Sequence, residues 1–133
     1  MQEERWQMGS IRRGILLVIF VLLVSIPAHS VEVSKEAWID SMSSALPTAF
    51  CQSGQYFRQC FDVSQTECEE TAASAARVCL QKYKDNIPGT LIQPKDGNYW
   101  GTVIGRCAGE AYAITLQKKR ISNQKCNDPN SWK

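Results

Sequence analysis

The chain has 133 residues, with 15 Lys and Arg against 13 Asp and Glu, six cysteines and one histidine. This near balance of charge provides no strong field to attract nucleic acid or an anionic membrane. The single histidine, His29, lies near the N-terminus; if it is removed with an export signal, triad hydrolases, histidine phosphatases and most zinc hydrolases are excluded, because they need an imidazole.

The N-terminal segment has the features of an export signal. Arg12 and Arg13 precede an apolar run over residues 15–26, and a proline and the tripeptide Ala28-His29-Ser30 follow it. This order of charge, apolar run and small residues is typical of a signal peptide. We predict a signal peptide over residues 1–30, with cleavage before Val31.

An uncleaved membrane anchor through residues 14–28 is the alternative, but this stretch is shorter than the about 20 apolar residues that a spanning helix needs. Cleavage would leave residues 31–133 as a single domain with no stable membrane insertion. Twelve basic and eleven acidic residues would remain, because five charged residues leave with the signal: Glu3, Glu4, Arg5, Arg12 and Arg13.

All six cysteines lie beyond the predicted signal, at Cys51, Cys60, Cys68, Cys79, Cys107 and Cys126. An even number of cysteines in a short exported chain indicates a framework of three disulfides, which would support a domain with a small core. Zinc sites usually use cysteines two residues apart, and this spacing is absent. We therefore predict disulfides, no metal site and no cofactor.

The apolar periodicity of residues 31–133 is helical throughout, which predicts an all-α fold of about four helices. The first helix runs from about Lys35 to Leu46, with Ser34 as its cap and Pro47 restarting the backbone. A second helical stretch runs from Pro47 towards Phe61, with a break at Ser53-Gly54.

A capping box over residues 64–67 opens the clearest helix, about Gln65 to Lys84. Its cysteines share one face with a strip of alanines but lie eleven residues apart, so each must bridge to another segment. The short connection before it suggests an antiparallel helical hairpin, with Cys60 bonded to Cys68 and Cys51 to Cys79. Cys126 would join Cys107 or the hairpin. Six cysteines allow fifteen connectivities, so these pairings are a hypothesis.

Residues 85–98 form an irregular connection with several turn signals. Tyr99 and Trp100 follow it, and they either plug the core or are presented to a sugar or peptide. The last helix runs from about Tyr99 to Arg120. Gly101, Gly105 and Gly109 recur on it every four residues, although each costs about 0.8–1 kcal/mol of helix propensity.

Two hypotheses explain this glycine stripe. We expect close packing against the alanine face of the preceding helix. The alternative is a shallow groove that accepts a helix or loop of another protein, which makes the three glycines, Tyr99 and Trp100 candidate partner-binding residues.

Two charged clusters are weaker candidates for a site. Glu67, Glu69 and Glu70 could act as paired carboxylates in glycoside cleavage, but negative charge in the first turn of a helix is also stabilising by itself. A basic cluster follows the last helix, where positive charge complements the helix dipole. Its members are Lys118, Lys119, Arg120 and Lys125.

The sequence thus predicts a non-catalytic exported protein, periplasmic or extracellular, that binds or inhibits a protein partner of the cell envelope or secreted space. The alternatives are a small secreted hydrolase with lysozyme-like carboxylate chemistry and a structural envelope component, anchored through the signal if it is not cleaved. An exposed apolar patch would favour binding, whereas a cleft with two nearby carboxyl groups would favour hydrolysis.

Overall fold

Three long helices and a two-stranded antiparallel sheet form the scaffold of the computed structural model, which describes residues 29–132. The predicted signal peptide lies outside the described residues, except for its last two positions. Two 3₁₀ turns, at Gln117–Lys119 and Pro129–Trp132, follow the long helices. The elements in chain order are β1 (Val31–Ser34), α1 (Lys35–Phe50), α2 (Tyr56–Gln59), α3 (Gln65–Tyr83), β2 (Thr90–Gln93), α4 (Lys95–Thr115) and α5 (Gln124–Asn127).

The sheet corrects the all-α prediction, although the fold is mostly helical. Val31 pairs with Gln93 and Ser34 with Thr90, so β1 and β2 join segments more than fifty residues apart. Each strand has four residues, a length over which alternation is a weak signal. Burial of Leu91 and exposure of Ile92 show that β2 does alternate. Strand β2 therefore lies within residues 85–98, the connection predicted to be irregular.

Helix α1 begins where the sequence predicts, because the hydroxyl of Ser34 accepts a hydrogen bond from the backbone N–H of Ala37. It does not end at Leu46. Pro47 lies inside the helix, which continues to Phe50 and is closed by the N–H of Cys51 donating to the Pro47 carbonyl at 3.1 Å. Leu46 and Pro47 are both buried, so packing holds the helix together where proline removes one donor.

The predicted second helix over residues 47–61 is absent as such. Its first part belongs to α1, a turn follows, and only Tyr56–Gln59 forms the short helix α2. Helix α3 agrees better with its prediction. Ser64 caps it by accepting from the N–H of Glu67 at 3.1 Å, which is the serine half of the predicted capping box. The Glu67 carboxylate pairs with Lys119 instead. The cysteine and alanine face is buried against α1 and α4, which makes α3 the central helix.

Three disulfides use all six cysteines, but the predicted hairpin pairings are wrong. The bonds are Cys51–Cys68, Cys60–Cys126 and Cys79–Cys107. Since α1 continues past Pro47, Cys51 lies at its end, where the first turn of α3 brings Cys68. One of the two alternatives predicted for Cys126 is correct, because it bonds to Cys60 in the segment before α3. Cys107 bonds to Cys79 and so joins α4 to α3.

An aromatic cluster closes the end of the core where α1, α2 and α4 meet. Tyr112 of α4 is fully buried, and its hydroxyl donates to the backbone carbonyl of Phe57 at 3.0 Å. The Phe57 ring stacks on Phe50 at 4.4 Å between centroids, and Phe61 meets Tyr112 edge-on at 5.2 Å. Such pairs add about 0.5–1.5 kcal/mol each beyond the area that they bury.

Helix α4 starts at Lys95 and ends at Thr115, so it lies several residues earlier in the chain than predicted. Its first turn is hydrogen-bonded to the sheet, because the carboxylate of Asp96 accepts from the N–H of Ile92 at 2.7 Å. Within residues 29–132, no helix is long and apolar enough to cross a membrane.

Candidate protein-binding groove

The glycine stripe does not pack against the alanine face of α3. A Cβ atom built on Gly101 or Gly105 meets no heavy atom of a neighbouring element within 4 Å among the described residues. Only Gly109 is approached closely, and its neighbour is the Phe57 ring of α2. The close-packing hypothesis is therefore wrong for the first two glycines, and for the third it names the wrong partner.

Tyr99 and Trp100 lie inside the first turns of α4 and have different environments. Trp100 is half-buried and packs against the core, with its ring centroid 6.5 Å from that of Tyr83. Tyr99 is 63% exposed. Trp100 thus serves the core, whereas Tyr99 is available to a partner.

A groove of about 600 Å³ runs along the seam between α3 and α4, and we call it the seam groove. Two bonds show that these helices are antiparallel: the Cys79–Cys107 disulfide and the ion pair of Glu67 with Lys119 just past the end of α4. Most of the lining side chains are small or apolar. They are Glu70, Thr71, Ser74, Ala75 and Val78 from α3, and Ala111, Ile114 and Thr115 from α4.

Val78 and Ile114 are the apolar side chains that protrude at this groove. They are 62% and 73% exposed, whereas most other large apolar residues of the described chain are buried or half-buried. Ala75, which is buried, and Ala111, which is half-buried, line the same groove. The groove therefore has small residues beside two exposed aliphatic side chains, one from each helix.

Sequence reasoning missed Val78 and Ile114 because it followed the buried face of each helix. Both residues lie outside those faces, and an aliphatic residue on the polar side of an amphipathic helix is the signal that would have identified them. Ala111 is half-buried against the core and also lines the groove.

One charged residue, Glu70 of α3, lines the groove. Lys118 and Lys119 follow Thr115 at its α4 end. The hydroxyl of Thr115 donates to the Ala111 carbonyl at 2.8 Å, so this polar group is already paired within the helix. The seam groove is therefore mostly apolar, with one carboxylate in its lining.

The two charged clusters are largely engaged within the protein. Glu67 pairs with Lys119, and Glu69 accepts from Gln65 at 2.7 Å, so Glu70 is the member of the acidic cluster that lines the groove. In the basic cluster, Lys125 donates to Gln59 at 2.8 Å and lies over the Trp132 ring. In residues 29–132, no three side chains of His, Cys, Asp or Glu come together to hold a metal ion.

Three disulfides in a small domain are typical of exported proteins. The profile of a protein family described as T2SS substrate NttA, that is, a type II secretion substrate, matches residues 32–120. The chain belongs to this family, and the family's description implies export.

The matched region runs from β1 to just past α4 and contains every residue of the seam groove. No curated protein and no solved structure matched the chain in the corresponding searches.

Proposed function

We propose that this protein is secreted by a type II system and acts without catalysis, by binding an amphipathic helix of a partner protein in the seam groove. The observation that carries the proposal is the pair of exposed aliphatic side chains, Val78 and Ile114, beside a floor that includes Ala75 and Ala111. The partner belongs to the cell envelope or the extracellular space, where a disulfide-bonded export product works.

A helix of the partner protein fits this groove better than a flat surface of the partner would. The groove follows two antiparallel helices, and small residues between them allow a third helix to approach closely, as in grooves that bind amphipathic helices. Burying one exposed Val or Ile side chain contributes about 1.5–3 kcal/mol. Two such side chains provide an anchor of the size found at interface hot spots.

The carboxylate in the lining specifies the partner further. Glu70 is exposed and lines the groove from α3. A helix with a basic residue beside its apolar stripe would complement Glu70, and such a pair at a rim mainly guides association and orientation. We therefore expect an amphipathic helix with a basic residue facing Glu70.

Lysozyme-like catalysis has less support. Two carboxylates of the acidic cluster, those of Glu67 and Glu69, are held by neighbouring side chains, whereas glycoside cleavage needs two carboxyl groups facing one substrate.

Site-specific photocrosslinking tests the proposed function. A photoreactive residue at Ser74 or Ile114 is expected to capture a distinct partner from the native host, and the same residue at the exposed Ile92 of β2 is the matched control. The variant Val78→Asp/Ile114→Asp should lose this partner while Ile92→Asp keeps it, with thermal unfolding confirming that both fold. The same crosslinks at all three positions, or an unchanged partner in the double variant, would refute groove binding.

Secretion must be measured separately, because the secretion machinery is itself a partner of any substrate. The amounts of protein in the medium and in the periplasm should be unchanged in the double variant. Loss of secretion together with loss of the crosslink would instead make the groove an export determinant.

A further inference from the structure

A second concave site lies on another face of α3, between that helix and α1. We call it the α1–α3 cleft, and its volume is about 340 Å³. One end is closed by the ammonium of Lys35, which donates to the Lys84 carbonyl at 3.1 Å, and the Cys51–Cys68 disulfide joins the helices beyond the other end. The lining residues are Glu36, Ile39, Asp40, Ser43, Arg77, Leu80, Gln81 and Lys84.

The two walls of this cleft carry opposite charges. Glu36 and Asp40 come from α1, whereas Arg77 and Lys84 come from α3. Because the helices are antiparallel, the acidic wall faces the basic wall along the length of the cleft. No ion pair within 4 Å crosses it in the described part of the chain.

The floor between these walls is apolar. Leu80 is 4% exposed and belongs to the core, and Ile39 is half-buried against the same core. The hydroxyl of Ser43 is already used, because it donates to the Ile39 carbonyl at 2.8 Å. A cleft of this size with an apolar floor and a few polar groups has the general character of a small-ligand site.

We propose that the α1–α3 cleft binds a short zwitterionic peptide of about dipeptide size. Its ammonium group pairs with Asp40 and Glu36, its carboxylate is held by Arg77, and its apolar side chains lie on Ile39 and Leu80. Arginine suits this role because its planar guanidinium binds a carboxylate through two parallel hydrogen bonds.

The spacing of the helices favours a dipeptide over a single amino acid. Packed helices lie about 8–10 Å apart. Charges on opposite walls are therefore farther apart than the ammonium and carboxylate of a single amino acid, which only one carbon atom separates. One further residue lengthens a ligand by up to about 3.8 Å, which lets one end reach each wall. This site is independent of the seam groove and of the function proposed for that groove.

Titration of the isotope-labelled secreted protein with leucyl-leucine, followed by amide NMR shifts, tests this proposal. Shifts should be confined to residues 36–43 and 77–84 and should saturate below about 10 mM peptide. N-acetylation or C-terminal amidation should weaken binding by about tenfold, as loss of one charge-assisted contact does.

Matched variants separate the cleft from the rest of the surface. Asp40→Asn should reduce affinity for leucyl-leucine but not for its N-acetyl form. Arg77→Gln should reduce affinity for leucyl-leucine but not for its C-terminal amide. Ile92→Thr, on β2 and outside the cleft lining, should leave binding unchanged. Shifts spread over the whole surface, equal binding of the blocked peptides, or no shift at all would each overturn the proposal.

Discussion

A Cβ atom built on Gly109 of α4 would lie 2.9 Å from Cζ of the Phe57 ring. One built on Gly105, a single turn earlier, meets no neighbouring element within 4 Å in the described chain. Phe57 cannot move freely, because its ring is packed against Phe50, Phe61 and Tyr112. The two glycines therefore have different roles, although they share one stripe.

We predict that Gly105→Ala stabilises the protein by about 0.5–1 kcal/mol, because alanine loses less conformational entropy on folding into a helix. Gly109→Ala gains the same propensity but must displace the Phe57 ring, so it should be less stable than Gly105→Ala. Urea unfolding of both variants measures the difference. Equal stability of the two variants would mean that the aromatic cluster adjusts without cost.

The hydrogen bond from Tyr112 to the Phe57 carbonyl gives a second prediction. Tyr112→Phe leaves that carbonyl without its donor inside the core, which should cost about 1–3 kcal/mol. Tyr99→Phe, at a 63% exposed position, should have little effect and serves as the control. Similar unfolding free energies for the two variants would contradict this account.

The same tyrosine predicts a pH dependence. Burial raises the pKa of Tyr112 from 10.0 to about 12, because the phenolate would lose its hydration. The unfolded state therefore ionises first as the pH rises, so this contribution is fully present below about pH 10 and is lost between pH 10 and 12. Unfolding free energies across this interval should fall more for the native protein than for Tyr112→Phe; parallel curves would count against it.

The disulfides should differ in their contributions to stability. Cys60 and Cys126 are separated by 66 residues, and Cys51 and Cys68 by 17. In the loop-entropy account, these bonds contribute about 4 and about 3 kcal/mol, respectively. Guanidinium unfolding of the two double alanine variants should show the larger loss for Cys60→Ala/Cys126→Ala, with mass analysis confirming that the remaining cysteines are paired. The reverse order would show that chain entropy does not dominate here.

The mature N-terminus is open to a direct measurement. Cleavage before Val31 would leave the new amino group at the first residue of β1, which pairs with Gln93. We expect the intact mass of the exported protein to correspond to residues 31–133, with six alkyl groups added only after reduction. A mass that retains Met1 would mean an anchored precursor, and His29 would then remain in the protein.

The sequence determined those features that depend on neighbours along the chain. The caps at Ser34 and Ser64 were predicted correctly, because capping needs only a hydroxyl and the amides of the next turn. The buried cysteine and alanine face of α3 followed from helical periodicity, and the use of all six cysteines in disulfides followed from their number and the predicted export signal.

Tertiary packing decided the rest. Buried contacts keep α1 helical through Pro47, although the local sequence predicts a break at this proline. Because the helix continues, Cys51 lies beside Cys68 and bonds to it. Strands of four residues gain stability only from a partner far along the chain, so neither was recognisable alone. The seam groove, the α1–α3 cleft and the open side of Gly105 exist only between or beside packed elements. Periodicity identifies the face that a helix buries, but the packing of its neighbours determines which other residues remain exposed.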